Sequence, residues 1–125
     1  MKNMKVKEAI SSQLVTVRDT DSALTGLKLL VKQGLSGAPV VSSDSRLVGM
    51  VTEFDLLLAI DYVGEGIPIS RVMTRDVTSV RPDTDLEDAR KLILDHNYRR
   101  LPVVDSGKVI GVLSRRDILR IRFGV

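Results

Sequence analysis

The sequence predicts an α/β (α+β) protein made of two copies of one β-α-β-β-α unit, and three observations carry that prediction. Leu14-Val15-Thr16-Val17-Arg18 returns 63 positions later as Val77-Thr78-Ser79-Val80-Arg81. Gly34-Leu35-Ser36-Gly37-Ala38-Pro39-Val40-Val41 returns at the same offset as Asn97-Tyr98-Arg99-Arg100-Leu101-Pro102-Val103-Val104. Val48-Gly49-Met50-Val51-Thr52-Glu53-Phe54-Asp55 then returns as Ile110-Gly111-Val112-Leu113-Ser114-Arg115-Arg116-Asp117, now at an offset of 62 because a polar turn has lost one residue. A period this long with a single indel marks a duplicated supersecondary unit. The repeats divide the chain into 1–63 and 64–125, with cores at about 14–60 and 77–122. Two such copies facing each other build a cleft, which points to a binding module.

Each element has its own signal. Thr16 and Val17 form the first short strand. Asp21-Ser22 opens a helix whose face is Ala23, Leu24, Leu27, Leu30 and Val31, and Gly34 stops it. Pro39-Val40-Val41 and Leu47 to Val51 flank the polar turn Ser42-Ser43-Asp44-Ser45 and read as a hairpin, with Pro39 as first residue of its strand. The helix Leu56-Leu57-Leu58-Ala59-Ile60 is apolar all round and demands burial on more than one side. A homodimer is the expected cover for the second side. The linker Tyr62 to Pro68 is short and punctuated by glycine.

The second copy is expected to open on the same short strand, within the echo Val77-Thr78-Ser79-Val80-Arg81. Thr84 and Glu87 have capping-box spacing, Leu86, Ala89 and Ile93 make the apolar stripe, and Asn97 takes the left-handed stop. Pro102-Val103-Val104 and Val109 to Leu113 form the second hairpin around Ser106-Gly107. Ile118, Leu119, Ile121 and Phe123 close the unit as its final helix.

Composition narrows the class. A 125-residue chain with 43% hydrophobic and 28% charged residues is globular rather than disordered. A half of about 60 residues is marginal alone, so the two halves are expected to share a core. Without cysteine there is no disulfide framework, thiolate metal site or thiol nucleophile. No apolar run reaches the roughly 18 residues of a membrane span, and a soluble cytoplasmic protein with no membrane partner is expected. Charge is uneven. Residues 1–63 carry seven basic and seven acidic side chains, residues 64–125 twelve and nine. Arg115, Arg116, Arg120 and Arg122 crowd one late segment, and arginine suits phosphate and other planar anions.

The sharpest local signals are Gly49-Met50-Val51-Thr52-Glu53-Phe54-Asp55 and Gly111-Val112-Leu113-Ser114-Arg115-Arg116-Asp117. Each runs from strand through glycine to a hydroxyl residue, with an aspartate three positions on. Such a pair is also an ordinary helix N-cap with a favourable first-turn charge. The spacing is kept in both copies while the residues around it change, and a helix start offers N–H groups to phosphate. An aspartate beside it can hold a ribose diol, as in dinucleotide folds.

With these motifs the chain resembles a tandem pair of cystathionine β-synthase (CBS) domains, the regulatory modules also found in IMP dehydrogenase and AMP-activated kinase. The resemblance rests on the two signatures, the two x-Pro-Val-Val strands and Val72-Met73-Thr74, and it spans essentially the whole chain. It implies two pseudo-symmetric repeats packed sheet to sheet, with clefts that bind AMP, ADP, ATP or, in some members, S-adenosylmethionine. Carried over by position, Asp55 and Asp117 hold ribose hydroxyls, and Thr52 and Ser114 face phosphate. Adenine lies against Thr16, Val17, Ser36, Gly37 and Ala38 in one copy, and against Ser79, Val80, Tyr98 and Leu101 in the other. Arg99 and Arg100 match a phosphate-reaching basic pair, and Arg116 joins that set. Ser36-Gly37 against Arg99-Arg100, and Glu53 against Arg115, make the two sites electrostatically unequal.

Catalysis has little support. The single histidine, His96, sits beside Asp95 at a helix end, where it complements the dipole. No metal-ligand cluster or Walker-type loop is present, so no catalytic residue, metal or resident cofactor is assigned. The alternative is a nucleic-acid-binding or purely protein-interacting module using the arginine-rich last helix. The pI of about 9.4 favours nucleic acid, while four aromatic residues offer little base stacking. In the preferred reading the chain is a ligand sensor whose output passes to a separate effector protein.

Overall fold

The computed structural model describes residues 1–10 and 13–125. Its elements are α1 (Val6–Ala9), β1 (Val17–Arg18), α2 (Ala23–Gln33), β2 (Gly37–Val41), β3 (Leu47–Thr52), α3 (Glu53–Tyr62), a 3-10 turn at Ile69–Arg71, α4 (Leu86–His96), β4 (Arg100–Asp105), β5 (Lys108–Ser114) and α5 (Arg115–Phe123). The chain forms two compact units, Val15–Val77 and Met1–Leu14 with Thr78–Val125. Compactness therefore divides the chain differently from the repeat, because the segment that leads into each repeat packs with the other repeat's sheet.

In the unit Val15–Val77, β1 runs parallel to β2 and β2 antiparallel to β3, with Val17 opposite Val40 and Gly37 opposite Thr52. Ser22 caps α2 by accepting the Thr25 N–H at 3.1 Å, and Gly34 ends it at φ 68°, the left-handed turn glycine adopts without strain. Ala23, Gly26 and Leu30 are its buried face. Val31, expected on that face, is 64% exposed because it lies one residue past the stripe that faces Leu56 and Ile69. Ile69 arrives from beyond the linker and is fully buried in this core. Its N–H donates to the Asp21 carbonyl at 2.9 Å. Burying such a side chain is worth about 1.5–3 kcal/mol.

The other unit repeats this plan with its partners exchanged. Val6, the repeat equivalent of Ile69, is fully buried in a core with Leu86, Ala89, Leu101, Val103 and Leu113. The Val6 N–H donates to the Thr84 carbonyl at 2.9 Å, and the Leu86 N–H to the Met4 carbonyl at 2.9 Å. That second bond overrides the expected capping box. α4 begins after Asp85 with no side-chain cap, since the incoming strand segment already satisfies its first amide. The Thr84 hydroxyl instead accepts the Arg81 N–H at 3.0 Å, and Glu87 turns to Arg90. Asn97 takes the left-handed stop at φ 56°, as expected.

β4 and β5 form a hairpin closed by Ser106 and Gly107 at φ 53° and 80°. The first strand expected in the second copy is reduced to one parallel bridge, Val80 with Val103. The reason is Pro82. Its repeat equivalent, Asp19, donates its N–H to the Val41 carbonyl at 3.0 Å, a bond that proline cannot make. Pro39 and Pro102 stand at the third position of their strands rather than the first. They are tolerated because the ladder bypasses the missing amide. Val80 donates to the Pro102 carbonyl at 3.0 Å and accepts from the Val104 N–H at 2.8 Å.

Candidate functional site

The residues singled out in each repeat all fall within one unit, so each unit presents its own half of the expected chemistry. In Val15–Val77 the end of β3 runs straight into α3. The Thr52 hydroxyl accepts the Asp55 N–H at 3.1 Å and so caps the helix. The Glu53 N–H donates to the Ser36 carbonyl at 2.9 Å, which holds Ser36-Gly37 beside the helix start. Asp55 is half-buried in the first turn. Its carboxylate has no side-chain partner among the described residues.

In the other unit the same main-chain bond recurs, from the Arg115 N–H to the Arg99 carbonyl at 2.9 Å. The cap is doubled here. The Ser114 hydroxyl accepts the Asp117 N–H at 3.1 Å, and the Asp117 carboxylate accepts the Ser114 N–H at 2.8 Å. Asp117 is 2% exposed and also meets Arg120 at 3.1 Å. In both units the first and third amides of the helix are occupied, and the second, of Phe54 or Arg116, has no acceptor among the described residues and can face an anion.

The apolar residues of the expected adenine contact stand differently. Val17 and Ala38 are each 1% exposed, Val80 is 5% and Leu101 1%, all within core clusters. Val80 also has both main-chain groups in the ladder. Its role in this unit is packing. The outward-lying members are Thr16, Ser36, Ser79, Tyr98, Arg99, Arg100 and Arg116, each half-buried or exposed.

Two contacts were not anticipated from the sequence. The Arg115 guanidinium donates to the Asn97 carbonyl (3.2 Å), the Asn97 side-chain oxygen (2.9 Å) and the Tyr98 carbonyl (2.8 Å). It thereby fixes the turn that presents Arg99 and Arg100. The Tyr98 hydroxyl lies 3.0 Å from that of Thr78, and its ring stacks on His96 at 5.2 Å. The signal for both was present as differences between the copies, Arg115 against Glu53 and Thr78 against Val15. The glycines of the signature have a structural duty. A Cβ on Gly49 would lie 2.8 Å from the Thr74 carbonyl oxygen and 2.7 Å from Met73 Sδ, and one on Gly111 would lie 3.0 Å from Ile10 Cδ1. Met73 and Ile10 are repeat equivalents, each on the segment that crosses its unit's hairpin.

Among the described residues no helix is long and apolar enough to cross a membrane, and no group of three or more His, Asp or Glu side chains is placed to hold a metal ion.

The fold and its motifs have close counterparts. The crystal structure of CBSX2 in complex with AMP superposes with a TM-score of 0.85 at 34% identity, over 98% of each chain. The CBS domain pair of protein MJ0100, in complex with 5′-methylthioadenosine and S-adenosyl-L-methionine, superposes with a TM-score of 0.84 at 27% identity, over 97% of each chain. Uncharacterized protein MJ1225 of Methanocaldococcus jannaschii is 27% identical over 95% of this chain, which spans 43% of that protein's length. The CBS domain profile matches residues 6–62 and again 69–124. With two matches covering nearly all of its length, and the fold to go with them, the chain belongs to the CBS-domain family as a tandem CBS pair.

Proposed function

We propose that this CBS pair is a non-catalytic regulatory module that binds adenosine ligands and acts as an energy or metabolite sensor. AMP, ADP and ATP are the first candidates, and S-adenosylmethionine the next. The observation that carries the reading is the repeated helix start. In each unit a hydroxyl cap, an aspartate and one unoccupied first-turn amide stand next to the turn before a Pro-Val-Val strand. That arrangement offers acceptors to a ribose diol and donors to a phosphate. Relatives with this fold bind AMP, or methylthioadenosine and S-adenosylmethionine, which supports the ligand class.

The half-sites differ in charge. Arg99, Arg100 and Arg116 favour a di- or triphosphate on the second repeat, while Ser36-Gly37 with Glu53 favours a less anionic adenosine ligand on the first. Binding changes the state of the protein through differential affinity, and a separate effector protein reads the change. A nucleic-acid role loses ground, because Arg115 is tied to the Asn97–Tyr98 turn and the Tyr98 ring is already stacked.

Calorimetric titration with AMP, ADP, ATP and S-adenosylmethionine tests the proposal, run beside Asp55→Ala and Asp117→Ala. Binding lost separately in the two variants supports it. No binding by any of the four, or two equal and independent ATP sites, refutes it in whole or in its charge assignment.

A further inference from the structure

The leading segments are exchanged between the repeats, yet their main-chain bonds do not tell one core from the other. The Ile69 N–H donates to the Asp21 carbonyl at 2.9 Å, the Ser70 N–H to the Asp19 carbonyl at 2.9 Å and the Ala23 N–H to the Ile67 carbonyl at 2.8 Å. At the equivalent places the Val6 N–H donates to Thr84, the Lys7 N–H to Pro82 and the Leu86 N–H to Met4, each at 2.9 Å. Both segments also cross their helix start by the same antiparallel bridge, Ser22 with Pro68 and Lys5 with Asp85. A leading segment paired with its own repeat would keep all of these bonds. It would also close a shorter loop, at a smaller loss of entropy. The observed pairing therefore rests on side chains.

We propose that one methyl group, moved between two facing core positions, is the key that assigns each leading segment to its core. Gly26 lies buried inside α2, where glycine needs a packing reason. A Cβ there would lie 2.6 Å from Ile69 Cδ1 and 3.4 Å from Leu56 Cδ1, so the end of Ile69 fills the notch that the glycine leaves. Ile69 and Leu56 are both 0% exposed, and neither has solvent to swing into. The repeat equivalent of Gly26 is Ala89, and that of Ile69 is Val6. There the helix carries the methyl and the leading residue lacks it, and both are again fully buried. Pairing within one repeat would set Ile69 against Ala89, one methyl too many, and Val6 against Gly26, one too few. Close-packed cores are destabilised by both errors. Charge points the same way. Lys5 meets Asp85 at 2.6 Å, whereas pairing within one repeat would put Lys5 opposite Ser22 and Asp85 opposite Pro68. That ion pair is exposed and adds little, so the buried methyl decides.

The inference is independent of nucleotide binding. Its fit is read by urea unfolding as a double-mutant cycle. Ile69→Val alone removes a buried methyl and is expected to raise the unfolding constant about two- to tenfold. In a Gly26→Ala background the same change is expected to leave the constant unchanged or to lower it. An equal rise in both backgrounds overturns the proposal. The pairing itself is read by disulfides, which is possible because the chain has no cysteine. Lys5→Cys/Asp85→Cys reports the observed pairing, and Lys5→Cys/Ser22→Cys reports pairing within one repeat. Both reporters remove the Lys5–Asp85 pair, so size alone discriminates. With no further change, mild oxidation is expected to link the first reporter and not the second. Adding Val6→Ile/Ile69→Val reverses the key and is expected to raise the second link severalfold at the expense of the first. Adding Gly26→Ala/Ala89→Gly as well is expected to restore the original pattern. Link yields that ignore these changes overturn the proposal.

Discussion

Replacing Gly49 by alanine is expected to cost about 1–3 kcal/mol, while Gly111→Ala stays within about 1 kcal/mol of wild type and can exceed it. Neither glycine has a positive φ, so the backbone accepts alanine and the difference lies in what the new methyl meets. At Gly49 it meets Met73 Sδ at 2.7 Å, Met73 Cγ at 2.9 Å and the Thr74 carbonyl oxygen at 2.8 Å. The thioether can swing away. The carbonyl cannot, because it accepts the Met50 N–H at 2.9 Å while the Thr74 N–H donates to the Met50 carbonyl at 2.9 Å. Relief of the clash strains or opens that two-bond bridge, at a net cost of about 0.5–1.5 kcal/mol per bond. At Gly111 the methyl meets only the tip of Ile10, at 3.0 Å, which a rotamer change moves aside. Alanine also removes unfolded-state freedom, worth about 0.4–1 kcal/mol in its favour. Urea unfolding of the two variants at a common m-value reads the difference directly. Equal destabilisation by the two substitutions, or a greater loss for Gly111→Ala, would refute the argument that the carbonyl decides the cost.

Two further outcomes follow from side chains that tie segments together. Arg115→Met removes three donated bonds from the Asn97–Tyr98 turn and is expected to weaken ATP binding at the second repeat by about 1–2 kcal/mol, roughly five- to thirtyfold, without affecting the first. A loss confined to Arg99→Ala, with Arg115→Met unchanged in calorimetry, would show that the turn holds itself. The Lys5 ammonium meets Asp85 at 2.6 Å, and that hydrogen bond, more than the Asp85 charge, raises its pKa above the usual lysine value. A raised pKa means the tie contributes in full below the unfolded-state value and is lost as pH rises through the folded one. Amide exchange at Val6 and Leu86, corrected for intrinsic rate, is therefore expected to show no loss of protection between neutral pH and pH about 9, with loosening only above the ordinary lysine pKa of about 10.4. Loosening near neutrality would contradict the assignment.

The hairpins, the left-handed stops at Gly34 and Asn97 and the hydroxyl caps at Thr52 and Ser114 were legible because each is decided within a few residues. A glycine or asparagine after an apolar stripe, or a hydroxyl three residues before a free amide, carries its physics locally. What the sequence concealed depends on distant partners. Nothing near Leu86 says that its amide is satisfied by Met4, so Thr84 and Glu87 read as a capping box. The truncated strand at Val80 was readable in principle from Pro82, but only once Asp19 is known to donate at the equivalent place. Val31 was misplaced because one face of a short helix is wider than the stripe that becomes buried. The exchange of leading segments leaves no local trace, since Val6 and Ile69 look alike.

The duplication explains why the two halves can share a scaffold and differ in chemistry. The bonds that set the helix start are main-chain bonds, Glu53 to Ser36 in one unit and Arg115 to Arg99 in the other, and each is 2.9 Å long. Because those bonds do not depend on side chains, the residues at these four positions can change sign without disturbing the fold. They have done so. Arg115 grips its turn through Asn97 and Tyr98, and Glu53, of opposite charge, stands at the equivalent position. Asp55 has no side-chain partner among the described residues, whereas the buried Asp117 accepts the Ser114 N–H and pairs with Arg120. The second half is therefore basic at this turn and the first acidic. On the proposed reading, the second repeat suits the more anionic ligand and the first the less anionic one, so that one main-chain scaffold serves two ligands of different charge.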